Sequence, residues 1–290
     1  MDWLSTIVQG LLLGGFYALY GIGLSLIFGV MRMVNLAHGD LIVCAAYLSL
    51  ALIEFSGLPP LLTLLIVIPL MFVSGILFQR GVLNRVVSKG PMPPLLITFG
   101  ISVILQNVLL LTFTADTRRL PAGSLETASL NAGGTVTVGI LPLLNIAIAL
   151  LALIGLQQVM TRTGLGRAFR ATSDDPITAE LMGIDSKHIY GLAMGVSLAL
   201  IAVAGILLGM RTTFGPSDGP ARLIYAFEAV IIGGLGSLWG TFVGGLLLGV
   251  AQSIGAALNP GWFQLSGHVL ALVMLAIRPT GLFARTRDID

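Results

Sequence analysis

Charge is what this chain has least of. Only 10% of its 290 residues are Asp, Glu, Lys or Arg, against about a quarter in a soluble globular protein. A chain so depleted has too few polar groups to cover its surface in water. Hydrophobic residues make up 56% of it and the mean hydropathy is +0.98, so lipid is the solvent that fits. Cysteine is nearly absent. Cys44 stands alone in the run Leu41-Ile-Val-Cys-Ala-Ala, which excludes an internal disulfide or a thiolate metal cluster and leaves a small buried hydrophobe. The three histidines fall in three separate regions, with no His/Asp cluster and no well-placed Ser–His–Asp set. Catalytic groups must converge within hydrogen-bond reach, so a membrane enzyme is set aside and no metal or cofactor is expected. The net charge is only +2 and the basic residues are scattered, so no nucleic-acid partner is expected. The P-loop pattern Gly-x-x-x-x-Gly-Lys-Ser/Thr is missing, so the chain does not itself hydrolyse ATP. There is no polar stretch of domain size, about 50 residues or more. Any energy-coupling domain must then lie on another polypeptide.

What the chain does have is apolar length. Nine segments meet or approach the roughly 20 residues a span requires: 5–30, 36–55, 59–79, 95–115, 140–160, 189–213, 223–238, 239–258 and 262–278. The seventh is the weakest. It is short, carries Glu228 and ends in Gly233-Gly-Leu-Gly-Ser-Leu-Trp-Gly240. The start, Met1-Asp-Trp, has no basic n-region, so the first segment is expected to be retained as a span. The expected fold is all-α, a polytopic membrane bundle of about eight or nine transmembrane helices with short or broken spans, forming one transmembrane domain over 1–290.

Lys and Arg orient it. Eleven of the fifteen basic residues (Arg32, Arg80, Arg85, Lys89, Arg162, Arg167, Arg170, Lys187, Arg278, Arg285 and Arg287) gather on one side, and Arg118, Arg119, Arg211 and Arg222 on the other. The richer side is assigned to the cytoplasm, with the N-terminus outside, the C-terminus inside and nine crossings. Residues 116–139 then form an external loop, whose alternating Thr135-Val-Thr-Val points to a small hairpin. Residues 161–188 form a cytoplasmic loop with the densest charge in the chain.

That loop carries a local signal. Asp175-Pro176 starts a helix, with Asp as N-cap and Pro at the first helical position, and Gly183 ends it in a left-handed conformation. The helix spans 176–182 and includes Glu180. Ile177 and Leu181, four apart, share a face, and Arg167 and Arg170 precede it. Two turns are not stable alone in water, so the helix must rest on something: a docked partner, or the lipid interface. Within the spans, Asn35, His38 and Asp40 sit at the cytoplasmic start of the second segment. They read either as a polar cap on an irregular helix start or as a gate. Glu228 is flanked by apolar residues and needs protonation or a partner. Arg222, six residues away, has poor helical geometry for it. The cluster Gly233, Gly234 and Gly236 weakens a helix and, by analogy with secondary transporters, marks a pathway. Gly10-x-x-x-Gly14, Gly205-x-x-x-Gly209, Gly240-x-x-x-Gly244 and Gly245-x-x-x-Gly249 point to close helix packing. Gln106, Asn107 and Asn145 read as interhelical glue. His188 reads as interfacial and His268 as a packed polar residue.

Four stretches in order resemble a known family. Asn35-Leu-Ala-His-Gly39 follows the first span. Gly166-Arg-Ala-x-Arg-Ala, Asp175-Pro and Ala179-x-x-x-Gly-Ile184 occupy the cytoplasmic loop. Ala229-Val-Ile-Ile-Gly-Gly-Leu-Gly-Ser-Leu-Trp-Gly-Thr-Phe-Val-Gly-Gly245 and Arg278-Pro-Thr-Gly-Leu-Phe283 complete the set. Together they are similar to the H-type permease subunit of branched-chain amino acid ABC importers, over nearly the whole chain. The resemblance implies a transport subunit of the bacterial inner (cytoplasmic) membrane, paired with an M-type second permease as a heterodimer. It further implies two cytoplasmic ATP-binding subunits and an external substrate-binding protein that delivers branched-chain amino acids or a related small polar metabolite. Asp175 to Gly183 would match the family's coupling helix. The competing expectation is a stand-alone channel or secondary transporter, for which Asp40 and Glu228 are the only strong ion-coupling candidates.

Overall fold

The computed structural model describes residues 2–132 and 136–283. Thr135, Arg285 and Arg287, used above, lie outside the described residues. The chain is a helical bundle. Helices α1 (Trp3–Met31), α2 (His38–Ser56), α3 (Pro60–Gly81) and α4 (Met92–Phe113) come first, followed by the hairpin β1 (Ser129–Ala132) and β2 (Val136–Gly139). Then come α5 (Ile140–Arg162), the short α6 (Gly164–Asp174) and α7 (Pro176–Leu181), α8 (Ser186–Arg211), α9 (Gly219–Gly233), α10 (Leu238–Leu258) and α11 (Phe263–Ile277).

The ends of the helices follow from local chemistry. Asp2, Thr163, Asp175, Asp185 and Ser237 each cap a helix start by accepting a backbone N–H with the side chain. Gly57 ends α2 in a left-handed turn and Pro59-Pro60 opens α3. The expected hairpin forms, with Ser129 opposite Gly139 and Leu130 opposite Val138.

Eight helical segments are long and apolar enough to cross a membrane. The molecule is therefore a multi-pass membrane protein. The seventh segment, expected to be the weakest and short, is short. Residues 212–218 are mostly non-helical, and α9 starts at Gly219 and ends at Gly233. Its 15 residues span about 22 Å at 1.5 Å per residue, short of a hydrocarbon core of about 30 Å. Even so, the two ends of this stretch reach different parts of the bundle. Phe214 pairs with Arg118 near the hairpin, while the far end of α9 packs against Gly240 and the tail at Thr280–Phe283. Gln9 near the start of α1 donates to Thr137 of β2, and Ser173 of α6 donates to Gly29 near the end of α1. The bundle thus has a hairpin end and a loop end, and the N-terminal and C-terminal described residues lie at opposite ends.

The centre is built on α1, α8 and α10. The most apolar window of α1 is 83% buried, against 17% for α4 and 11% for the last span. The outer helices turn residues such as Leu65, Leu111, Leu151 and Leu272 outward, as lipid permits. The glycine spacings do what was expected of them. Gly10 and Gly14 of α1 meet Gly249 and Gly245 of α10, and a Cβ on Gly14 would lie 2.6 Å from the Gly245 oxygen. Gly205 of α8 lies on Ile42 and Ala45 of α2. The Asn107 amide donates to Val103 of its own helix, whereas Gln106 donates to Ser102 and also faces Asp40 of α2. Asn145 is buried with no hydrogen-bond partner.

Candidate functional site: a buried helix junction and an exposed two-turn helix

The link between α1 and α2 turns back into the bundle. Arg32 adopts φ 50° at the end of α1. Asn35, fully buried, accepts the Ala37 N–H with Oδ1 at 3.0 Å, and Thr98 of α4 accepts the Leu36 N–H at 3.1 Å. His38 donates from Nε2 to the carbonyl of Tyr20 at 2.8 Å, which places the proton on Nε2 and leaves Nδ1 buried without a partner. Tyr20 lies eleven residues before the end of α1, about 16 Å along its axis. Asn35, His38 and Asp40 are therefore not at an interface, as the sequence reading had them. They open α2 deep inside the protein.

The start of α9 arrives at the same place. Gly39 packs on Gly219 and Leu223, and a Cβ on Gly219 would stand 2.7 Å from the Asp40 Cα. The N-termini of α2 and α9 thus meet inside the bundle. From there α2 runs to the hairpin end and α9 to the loop end. Each N-terminus carries about half a positive charge. Asp40 sits between them, without an ion pair among the described residues, and Ser102 and Gln106 of α4 are the polar side chains within its reach. Two helix N-termini account for a buried carboxylate here without an ion pair.

Glu228 lies further along α9 and does not join this junction. It pairs with His268 of α11 through Oε1 and Nδ1, and its Oε2 has no partner. Arg222 instead pairs with Asp218 at 3.5 Å. His268 is no ordinary packed polar residue, because its side chain is 43% exposed on the outer face.

Gly233, Gly234 and Gly236 stand at the loop end, in the turn between α9 and α10. Gly233 abuts Gly240, and Gly236 lies against Gly29 of α1. Gly234 adopts φ 112°, a conformation that needs glycine. The tail closes this turn: Leu282 and Phe283 donate their N–H groups to the Ile232 and Gly233 carbonyls at 3.0 and 2.9 Å. Those are carbonyls that a helix end leaves open, so Arg278-Pro-Thr-Gly-Leu-Phe283 acts as the C-cap of α9. A cavity of about 430 Å³ opens beside it, lined by Ser25, Gly29, Gln157, Arg170, Ser237 and Trp239 among others.

The loop 161–188 holds more structure than expected. Before the two-turn helix comes α6, whose Phe169 is buried. Arg167 is exposed, whereas Arg170 is half-buried and donates to the Met160 carbonyl, strapping α6 to the end of α5. Asp175 caps α7, accepting from the Ile177 N–H at 2.9 Å and the Thr178 hydroxyl at 2.5 Å. Those bonds, the Thr178 hydroxyl first, hold its carboxyl below the ordinary aspartate value. Helix α7 ends at Leu181, with Met182 in the closing turn and Gly183 at φ 83°. Ala179 is buried on the protein side, and Ile184 returns its N–H to the Ala179 carbonyl at 3.0 Å. Ile177, Leu181 and Met182 are 73%, 83% and 78% exposed, and Glu180 is exposed beside them. The helix is capped at both ends, and its apolar side is uncovered among the described residues.

One group escaped the sequence reading. Phe16, Tyr17 and Tyr20 of α1, Tyr225 of α9 and Arg211 at the end of α8 form a cluster. Tyr17 and Tyr225 lie 5.0 Å apart between ring centroids. The Arg211 guanidinium sits 4.6 Å over the Phe16 ring. Tyr17 bonds Gln252 of α10, and Gln264 donates to the Tyr225 hydroxyl at 3.3 Å. A signal was present: these tyrosines fall mid-segment, away from the interfacial belts where tyrosine is enriched in spans.

Residues 6–278 match the family described as "Branched-chain amino acid transport system / permease component". The chain is 30% identical to the high-affinity branched-chain amino acid transport system permease protein BraD of Pseudomonas aeruginosa, over 98% of this chain and 96% of that one. It is 28% identical to the permease protein LivH of the same kind of system in Escherichia coli, again over 98% and 96%. A partial likeness, 28% identity over 44% of this chain and 30% of the other, extends to the permease protein LivM of Escherichia coli. No solved structure matches the chain.

Proposed function

The chain belongs to the branched-chain amino acid transport system permease family, and from that premise we propose that it is the permease subunit of an ATP-driven importer. It carries branched-chain amino acids, or a related small polar metabolite, through the bacterial inner membrane. The observation that supports this reading best is α7, a short helix capped at both ends and anchored through Ala179, with Ile177, Leu181 and Met182 presented to an absent surface. The chain itself supports the Ala179 side of this helix, and the apolar side chains it leaves exposed are the surface a partner would cover. We assign that partner as a cytoplasmic ATP-binding subunit, one of two, with α7 as the coupling helix. Arg167 is the free basic residue beside it, and Arg170 holds its base. An M-type second permease completes the membrane part, and an external binding protein delivers the solute. The loop end is cytoplasmic and the hairpin end external. The junction of α2 and α9 around Asn35, His38 and Asp40 is the element that rearranges when α7 is pulled.

The test is reconstitution of the whole transporter with Ile177→Asp in α7. We expect binding-protein-stimulated ATP hydrolysis and uptake to fall at least tenfold, with the detergent melting temperature unchanged because the residue is exposed. Uptake at the wild-type rate would remove the docking assignment.

A further inference from the structure

Two arginines stand inside this bundle without enough acid to balance them. Arg211 ends α8 and Arg222 lies in the first turn of α9. The Arg211 guanidinium stacks on Phe16, and Arg222 lies three residues before Tyr225 on the same side of α9, so the two arginines flank the aromatic cluster. Arg211 has no ion pair among the described residues, only the Phe16 face, and its Nη1 is buried with no acceptor. Arg222 shares one contact with Asp218 at 3.5 Å, and its Nε is buried and unpartnered. Asp40 lies against Gly219 on the same helix but pairs with neither arginine. A buried guanidinium without an acceptor is costly. Within a membrane protein such a group marks a substrate or ion pathway.

We propose that Arg211 and Arg222 form the seat for the carboxylate of the transported solute, and that the buried rings of Phe16, Tyr17, Tyr20 and Tyr225 part to receive its apolar side chain when the solute enters. Guanidinium forks match a carboxylate's two oxygens, and aromatic walls suit a small aliphatic side chain. The seat lies on the hairpin side of the α2–α9 junction, since Arg211 follows Gly209, which packs on Leu120 of the hairpin-end loop. A solute entering from that end meets the arginines before it meets Asp40 and His38. This rests on the importer reading, and it names residues for the solute that the coupling argument does not touch.

The test uses the complete transporter in proteoliposomes with leucine as the probe. In wild type, leucine delivered by the binding protein should slow modification of Arg211 by phenylglyoxal at least fivefold, read by peptide mass spectrometry. Arg211→Gln and Arg222→Gln should each lower the leucine carried per ATP hydrolysed at least tenfold. Arg119→Gln, on the exposed hairpin-end loop, should not change it. Should Arg211→Gln fail to assemble, Arg211→Lys keeps the charge but loses the planar fork, and should still lower the ratio. If wild type shows no ATP-driven uptake of any carboxylate solute, the importer reading fails first. If wild type imports leucine while leucine leaves Arg211 unprotected, or while the Gln and Lys variants keep the wild-type ratio, the carboxylate seat is wrong. Equal protection by inorganic phosphate or by phosphatidylglycerol without leucine would likewise overturn it, in favour of a free anion or a lipid headgroup.

Discussion

The pairing of Glu228 with His268 is the residue-scale feature with the sharpest energetic consequence. Glu228 is 7% exposed on a helix that also carries Arg222, and among the described residues His268 is its one hydrogen-bonding partner. His268 is half-exposed, so the cost of removing it falls on the buried Glu228, which loses its hydrogen-bonding partner at about 1–3 kcal/mol. His268→Ala is therefore expected to lower the melting temperature of the detergent-solubilised protein. Glu228→Gln in the same background should recover part of the loss, because the uncompensated charge is gone. An additive double mutant would show that the two residues do not interact. The glycines make the converse case. A side chain at Gly14 would press into Leu246 and the Gly245 oxygen, so Gly14→Val should cost about 1–3 kcal/mol or more through overpacking. Gly155 has nothing within 4 Å of a new Cβ, so Gly155→Ala should be neutral or gain up to about 1 kcal/mol from helix propensity. Thermal melts of the two variants side by side check both.

At the scale of an element, α7 depends on its cap. Hydrogen bonds from Thr178 and Ile177 hold the Asp175 carboxyl below its ordinary value. The contribution of the cap is then complete above the unfolded aspartate pKa, and it is lost only as pH falls through the lower folded value. Between about pH 5 and 8, well above the ordinary aspartate range, the capping of α7 should not vary. Asp175→Asn, which keeps an acceptor at the cap, should preserve stimulated ATP hydrolysis across that window. Asp175→Ala should reduce it at every pH there. A pH-dependent difference between wild type and Asp175→Asn would contradict this account of the cap. For α9 the dependence is reversed, because its start has no side-chain cap and its end is closed by Leu282 and Phe283. Its position is set by the tail and by Asp40.

For the whole molecule, the uneven spread of charge gives one prediction. With Cys44 replaced by Ala, a cysteine at Arg119 should react with a membrane-impermeant maleimide added outside intact cells. A cysteine at Ile177 should react only after the membrane is opened. The opposite pattern would invert the loop and hairpin ends, and with them the direction of transport proposed above. Both positions are exposed on this chain, Ile177 at 73% and the Arg119 side chain at 45%, and the permease is expressed without the ATP-binding subunits proposed to cover Ile177.

Most of the architecture was legible in the residues themselves. Spans depend on runs of apolar residues, and the segments read from hydropathy fall close to α1–α5, α8, α10 and α11. The helix 176–182 was equally readable, because caps are local: Asp175, Pro176 and Gly183 each act within a few residues. The α1–α10 contact was visible as spacing, since only small residues let two backbones approach. Depth was not legible. Asn35, His38 and Asp40 look interfacial in the chain, and only the re-entry of 32–37 takes them inward. The partner of Glu228 lies forty residues away on another helix, beyond any helical periodicity. The arginines that flank two spans were countable as orientation charges. That they turn inward onto one aromatic cluster was decided by the bundle, because a side chain's direction at a helix end depends on what packs beside it.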